Sequence, residues 1–94
     1  MITTNPTNYP KFPNIEIVKK PDGSYDGDTL LLAFAYIQHH AESVVVEELE
    51  DEAVKRAQTL YPPGVSRSSA ILRLCFGQVL EESGIVQVRV ISKK

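Results

Sequence analysis

Apolar and polar positions change rhythm several times along this chain, and each change marks an element. Ile15 and Ile17 alternate with polar Glu16, the period-two pattern of a half-buried strand. Pro21-Asp22-Gly23 follows with turn chemistry: proline fixes φ, aspartate bonds the backbone two residues on, and glycine accepts positive φ. The segment Leu30–Ile37 is apolar on every side, which predicts a helix buried all round, with Asp28 or Thr29 at its start. Val46, Leu49, Ala53, Ala57 and Leu60 then recur at steps of three and four, the one-sided stripe of a second helix. Its start is open between Glu42 and Glu47, and the β-branched triplet Val44–Val46 equally fits a short strand. Asp51–Lys55 and Glu52–Arg56 fall at the i,i+4 spacing of helix ion pairs.

Pro62-Pro63-Gly64 ends that helix, and Ser66 is placed to cap a third, with Val65 and Ala70 as a hydrophobic staple. The third helix extends to about Ser83, where Gly84 suits the left-handed residue beyond a helix end. In IVQVRVI, Val86, Val88 and Val90 face one way, and Ile85, Gln87, Arg89 and Ile91 the other. That is a strand. The predicted fold is α+β in the order β–α–α–α–β. Three helices accompany a small antiparallel sheet that pairs residues 15–18 with 86–91, because a lone strand leaves its backbone unpaired.

Length fits one domain, and 94 residues suffice for a modest core without disulfide or metal staples. Pro6, Pro10 and Pro13 mark residues 1–14 as a flexible or partner-draped arm, leaving 15–94 as a single domain. The N-terminal residues lack a basic head before an apolar run, so no signal peptide is expected. The longest apolar run, Leu30–Ile37, is far short of the ~20 residues a membrane-spanning helix needs. A single cysteine, Cys75, allows no internal disulfide and fits a cytoplasmic setting.

Net charge is only −2, but its distribution is uneven. Residues 41–54 hold six acids and no base, whereas residues 55–94 hold seven bases against two acids. A bipolar chain of this kind could offer a basic face to phosphate, or could pair with itself head to tail. Enzyme chemistry is the least supported class. His39 and His40 are adjacent, so on a helix they point apart and do not share a metal easily. Cys75 sits in the apolar run ILRLCF with no neighbouring base to activate it. No glycine-rich phosphate loop, metal-ligand spacing or paired-carboxylate pattern is present, so neither metal nor cofactor is expected.

Gly64-Val65-Ser66-Arg67-Ser68-Ser69 resembles the turn and recognition-helix start of helix-turn-helix proteins. Leu80-Glu81-Glu82-Ser83-Gly84-Ile85-Val86 resembles the exit of a winged-helix domain, where that helix ends at glycine and enters the wing. The span from the first to the end of the second, residues 64–86, is about a quarter of the chain. The resemblance implies a small, dimeric DNA-binding regulator whose helix enters the major groove. It would place Arg67, Ser68 and Ser69 at base edges and Arg73 at a base or phosphate. Arg89, Lys93 and Lys94 would then hold the backbone from the wing side. A second resemblance is to ribbon-helix-helix proteins, with Val44–Val46 as the ribbon.

A different expectation comes from the third helix itself. Ile71 and Leu74 intrude on its polar side, which suggests burial on most sides, either in the core or at a contact with a second copy or a protein partner. An interaction adaptor using Ile71 and Leu74, or the acidic residues 42–52, is therefore the alternative to DNA binding.

Overall fold

The computed structural model describes residues 9–91. Strand β1 (Phe12–Lys19) leads to helices α1 (Gly27–His40), α2 (Ser43–Leu60), α3 (Pro63–Ser66) and α4 (Ser69–Ser83), and the chain closes with β2 (Val86–Val90). Two expectations are corrected here: there are four helices, not three, and the two strands pair parallel, not antiparallel.

The parallel direction follows from counting reversals. The turn after β1, the link Ala41–Glu42, the α3 segment and Gly84 make four connections between the strands. If each turns the chain back, β2 must run the same way as β1. Register runs from Glu16 opposite Gln87 to Lys19 opposite Val90, with an irregularity between Phe12 and Glu16. The strand begins at Phe12, three residues before the expected start. Residues 1–8, most of the expected arm, lie outside the described residues.

The fourth helix is the single turn α3. Pro63 does not merely stop α2: it occupies the first turn of α3, where its missing N–H would have had no partner anyway. Ser66 is therefore not the cap of the long helix. It is buried inside α3 and its hydroxyl donates to the Pro63 carbonyl. Ser68 caps α4 instead, its Oγ accepting the Ile71 N–H at 3.2 Å. Similarly Asp26, rather than Asp28 or Thr29, caps α1 by accepting the Thr29 N–H. Thr29 has another task, since its Oγ1 accepts the Val18 N–H of β1 at 3.0 Å. Gly84 does take the left-handed conformation beyond α4, with φ of 75°. Val44–Val46 lie inside α2, so they form no ribbon.

The α2 stripe is buried at Leu49, Ala53 and Ala57, while Leu60 at its end is exposed. Ile17 of β1, Ile37 of α1, Leu80 of α4 and Ile85 complete the centre of the core. Arg56 forgoes Glu52 and reaches across to α4, donating to Glu82 at 2.8 Å and Gln78 at 3.2 Å. No ion pair joins Asp51 to Lys55 among the described residues.

Tyr25, in the turn before α1, lies against Gly77 in the middle of α4. A Cβ at Gly77 would meet the Tyr25 ring at 2.5–2.9 Å. The ring cannot slide away freely, because its hydroxyl donates to Glu81 at 2.6 Å. Lys19 reaches the same carboxylate at 3.2 Å. Burial, and then the Glu81 carboxylate, push the Tyr25 phenol well above its ordinary range, so it remains a donor. Gly77→Ala sets two effects against each other: about 1 kcal/mol of helix propensity gained and about 1–3 kcal/mol lost to overpacking. The clash is with the body of an anchored ring, so a net loss of up to ~2 kcal/mol is expected in urea denaturation. Unchanged or raised stability would show that Tyr25 is not fixed there.

Candidate functional site

The residues expected to meet DNA divide into separate groups. Arg67 caps the end of α3, Ser68 caps α4, and Ser69 and Arg73 occupy its first turns; all four are exposed. Neither arginine forms an ion pair among the described residues. Arg89 does not join them. The residue before it, Val88, lies opposite the buried Ile17 on the inner face of the sheet, so Arg89 projects from the outer face. There its guanidinium donates to Glu16 at 3.0 Å. Lys93 and Lys94 lie outside the described residues. Ile71 and Leu74, the expected partner contacts, are each only partly exposed and pack against the chain's own core.

The open apolar surface lies elsewhere. Helix α1 buries Leu30, Ala33 and Ile37 along one face and leaves the other to solvent. Leu32 is 70% exposed and Leu31 51%. The sequence expectation of a helix buried on every side is thus corrected: two strands and three other helices are too few to surround it. Beside this face runs a groove of about 500 Å³ between α1, α2 and α4. Its walls are Leu31 and Phe34 of α1, Ala53 and Val54 of α2, and Leu72 and Phe76 of α4. Phe34 and Phe76 meet edge to face in it, with ring centroids 5.0 Å apart. Glu50 and Asp51 stand on one bank and Arg73 on the other.

The banks are unequal in charge. Glu47, Glu48, Glu50, Asp51 and Glu52 are all exposed along α2, so the field beside the groove is negative. A second cavity of about 470 Å³, lined by Tyr9, Glu48, Arg56 and Glu82 among others, is different in kind. Two pairs of its polar groups satisfy one another: Tyr9 donates to Glu48, and Arg56 to Glu82. That hydrogen bond from Arg56 holds the Glu82 carboxyl below its usual range. Cys75 is buried and its thiol is pushed up by that burial, which makes it a poor nucleophile. Tyr36 stacks on His40 with centroids 4.1 Å apart.

Sequence reasoning missed Leu31, Leu32, Phe34, Val54 and Phe76 as a surface. A signal was present: α1 is apolar on more faces than a domain this small can cover, and Val54 lies off the α2 stripe. Comparison with protein-family models, with curated proteins and with solved structures gives no match. Among the described residues no helix is long and apolar enough to cross a membrane.

The two faces of α1 give a direct test. Leu30→Ala should cost about 2–5 kcal/mol, as for a buried leucine. Leu32→Ala should change stability by no more than about 0.5 kcal/mol, as for an exposed position. Comparable losses in urea denaturation would mean that the outward face is covered.

Proposed function

We propose that this protein is a protein-interaction domain that seats an amphipathic helix of a partner in the groove between α1, α2 and α4. The observation that carries this is the apolar groove itself, walled in part by the exposed Leu31 and Val54 and flanked by Glu50 and Asp51 of α2. A soluble monomer rarely leaves a contiguous apolar surface of this kind without using it. Helical partners meet such grooves through apolar side chains one turn apart, with charged residues reaching the rim. With Glu50 and Asp51 on the α2 bank, the fitting partner carries Lys or Arg beside its apolar stripe. No catalytic role is part of this proposal, and a single buried thiol supports a cytoplasmic setting.

Selection from a displayed library of amphipathic helices tests it. Enriched peptides should share apolar residues at i, i+3 or i+4 and i+7, flanked by basic residues. Val54→Asp should weaken their binding at least about tenfold, or ~1.4 kcal/mol. Absence of enrichment, or binding indifferent to Val54, would sink the proposal.

DNA binding through the start of α4 is the second reading, favoured by Arg67 and Arg73, which are exposed and form no ion pair among the described residues. It requires duplex affinity that falls steeply with salt. Arg67→Ala should then relax sequence preference by about 1–3 kcal/mol. Arg89→Ala, whose guanidinium is held by Glu16, should leave the curves unchanged. Absence of duplex binding at low salt would remove this reading.

A further inference from the structure

The two outer edges of the sheet are treated differently by the chain. Backbone bonds at the ends of the ladder fix its phase: the Phe12 N–H donates to the Ile85 carbonyl, and the Ile91 N–H to that of Lys19. Odd-numbered residues of β2 therefore turn their backbone toward β1, and Val86, Val88 and Val90 turn theirs outward. By the same phase Val18 of β1 turns its backbone outward, and the chain closes that edge. The Val18 N–H donates to Thr29 Oγ1, and its carbonyl accepts the Asp26 N–H at 2.8 Å. Among the described residues nothing bonds the outward groups of Val88 and Val90. Val90 is 61% exposed beside them.

The common guards of an open edge are missing from β2. It has no proline and no lysine, and its register against β1 is regular from Gln87 onward. Its one charge, Arg89, is engaged by Glu16 on the outer face. Two strands are also few for a sheet, and parallel sheets usually have more strands and cover on both faces.

We propose that β2 pairs antiparallel with β2 of a second copy, giving a four-stranded sheet in the order β1–β2–β2–β1. A two-fold axis at Val88 makes the segment VQVRV complementary to itself. Val88 faces the partner copy's Val88 and exchanges backbone bonds with it. Val86 faces Val90, so the exposed valine gains an apolar neighbour, and Gln87 faces Arg89 without any like-charge contact. Helix α4 underlies the inner face, where Lys19 meets Glu81. Two strands span about 10 Å and a helix is about 10 Å wide, so the α4 helices of both copies fit side by side. This surface is separate from the groove, so it neither needs nor excludes a helical partner.

Sedimentation equilibrium of the full chain, with amide exchange followed by NMR over a concentration series, tests the proposal. A dimer is expected, in which the Val88 and Val90 amides slow as concentration rises. The Gln87 and Arg89 amides, already bonded to β1, should be slow at every concentration. Val90→Glu keeps its own fold, since the new carboxylate faces Lys19, but sets a charge against the partner copy's Val86. It should raise the dimer dissociation constant at least about tenfold while leaving the circular dichroism spectrum and the binding of groove-selected helices unchanged. A monomer at every concentration would overturn the proposal. So would a dimer lost in Leu32→Glu but kept in Val90→Glu, because association would then run through α1.

Discussion

One aromatic ring lying on one glycine organises this small fold. Tyr25 sits in the turn that reverses the chain after β1, and its ring takes the space that a side chain at position 77 would need. Glu81 lies one turn further along the same face of α4 and holds the phenol, and Lys19 at the end of β1 approaches both, 5.7 Å from the ring centroid. A turn, a strand end and a helix are thus tied at a single point by packing and by charge-assisted hydrogen bonds. That tie places α4 beneath the sheet. Only Gly84 and Ile85 separate α4 from β2, so the helix also delivers β2 alongside β1.

The consequence reaches the edges of the sheet. Because the helices return the chain in its starting direction, β1 and β2 lie parallel, and no hairpin closes either side. The β1 edge is covered by the start of α1, where Thr29 and Asp26 substitute for a third strand. This explains why the cap of α1 is displaced to Asp26: Thr29 Oγ1 is already engaged with the strand. Among the described residues no equivalent cover lies beside β2, because α4 lies under that strand and not along it.

Much of this was legible before the structure. The alternation in Val86–Val90, the Leu49–Ala53–Ala57 stripe and the left-handed Gly84 all appear where periodicity and residue type placed them. Each depends on contacts or dihedrals within a few residues. The strand direction was misjudged because it depends on the parity of reversals, which no local window contains. The one-turn α3 was missed because prolines read as helix breakers, although proline fits a first helical turn. The groove was missed because an all-apolar segment was equated with burial. Whether Leu31 and Leu32 are covered depends on how much protein surrounds them, and 94 residues supply cover for only one face of α1.

The charge segregation seen in the sequence acquires a meaning at this point. Two cations of the C-terminal half are spent within the fold, Arg56 on Glu82 and Arg89 on Glu16, while Lys19 takes up Glu81. The acids of α2 are mostly left to solvent, so the negative half keeps its field and the positive half loses part of its own. The two open surfaces then differ in physical kind. The groove offers apolar area with few directed bonds, which tolerates variation in what it holds and takes its selectivity from the acidic bank. The β2 edge offers directed backbone bonds over little area, so it admits only an extended segment whose side chains match in register. A surface of the first kind suits a variable partner, and one of the second kind suits an invariant one. The β2 strand of a second copy is such a segment, always present at the same concentration as its counterpart.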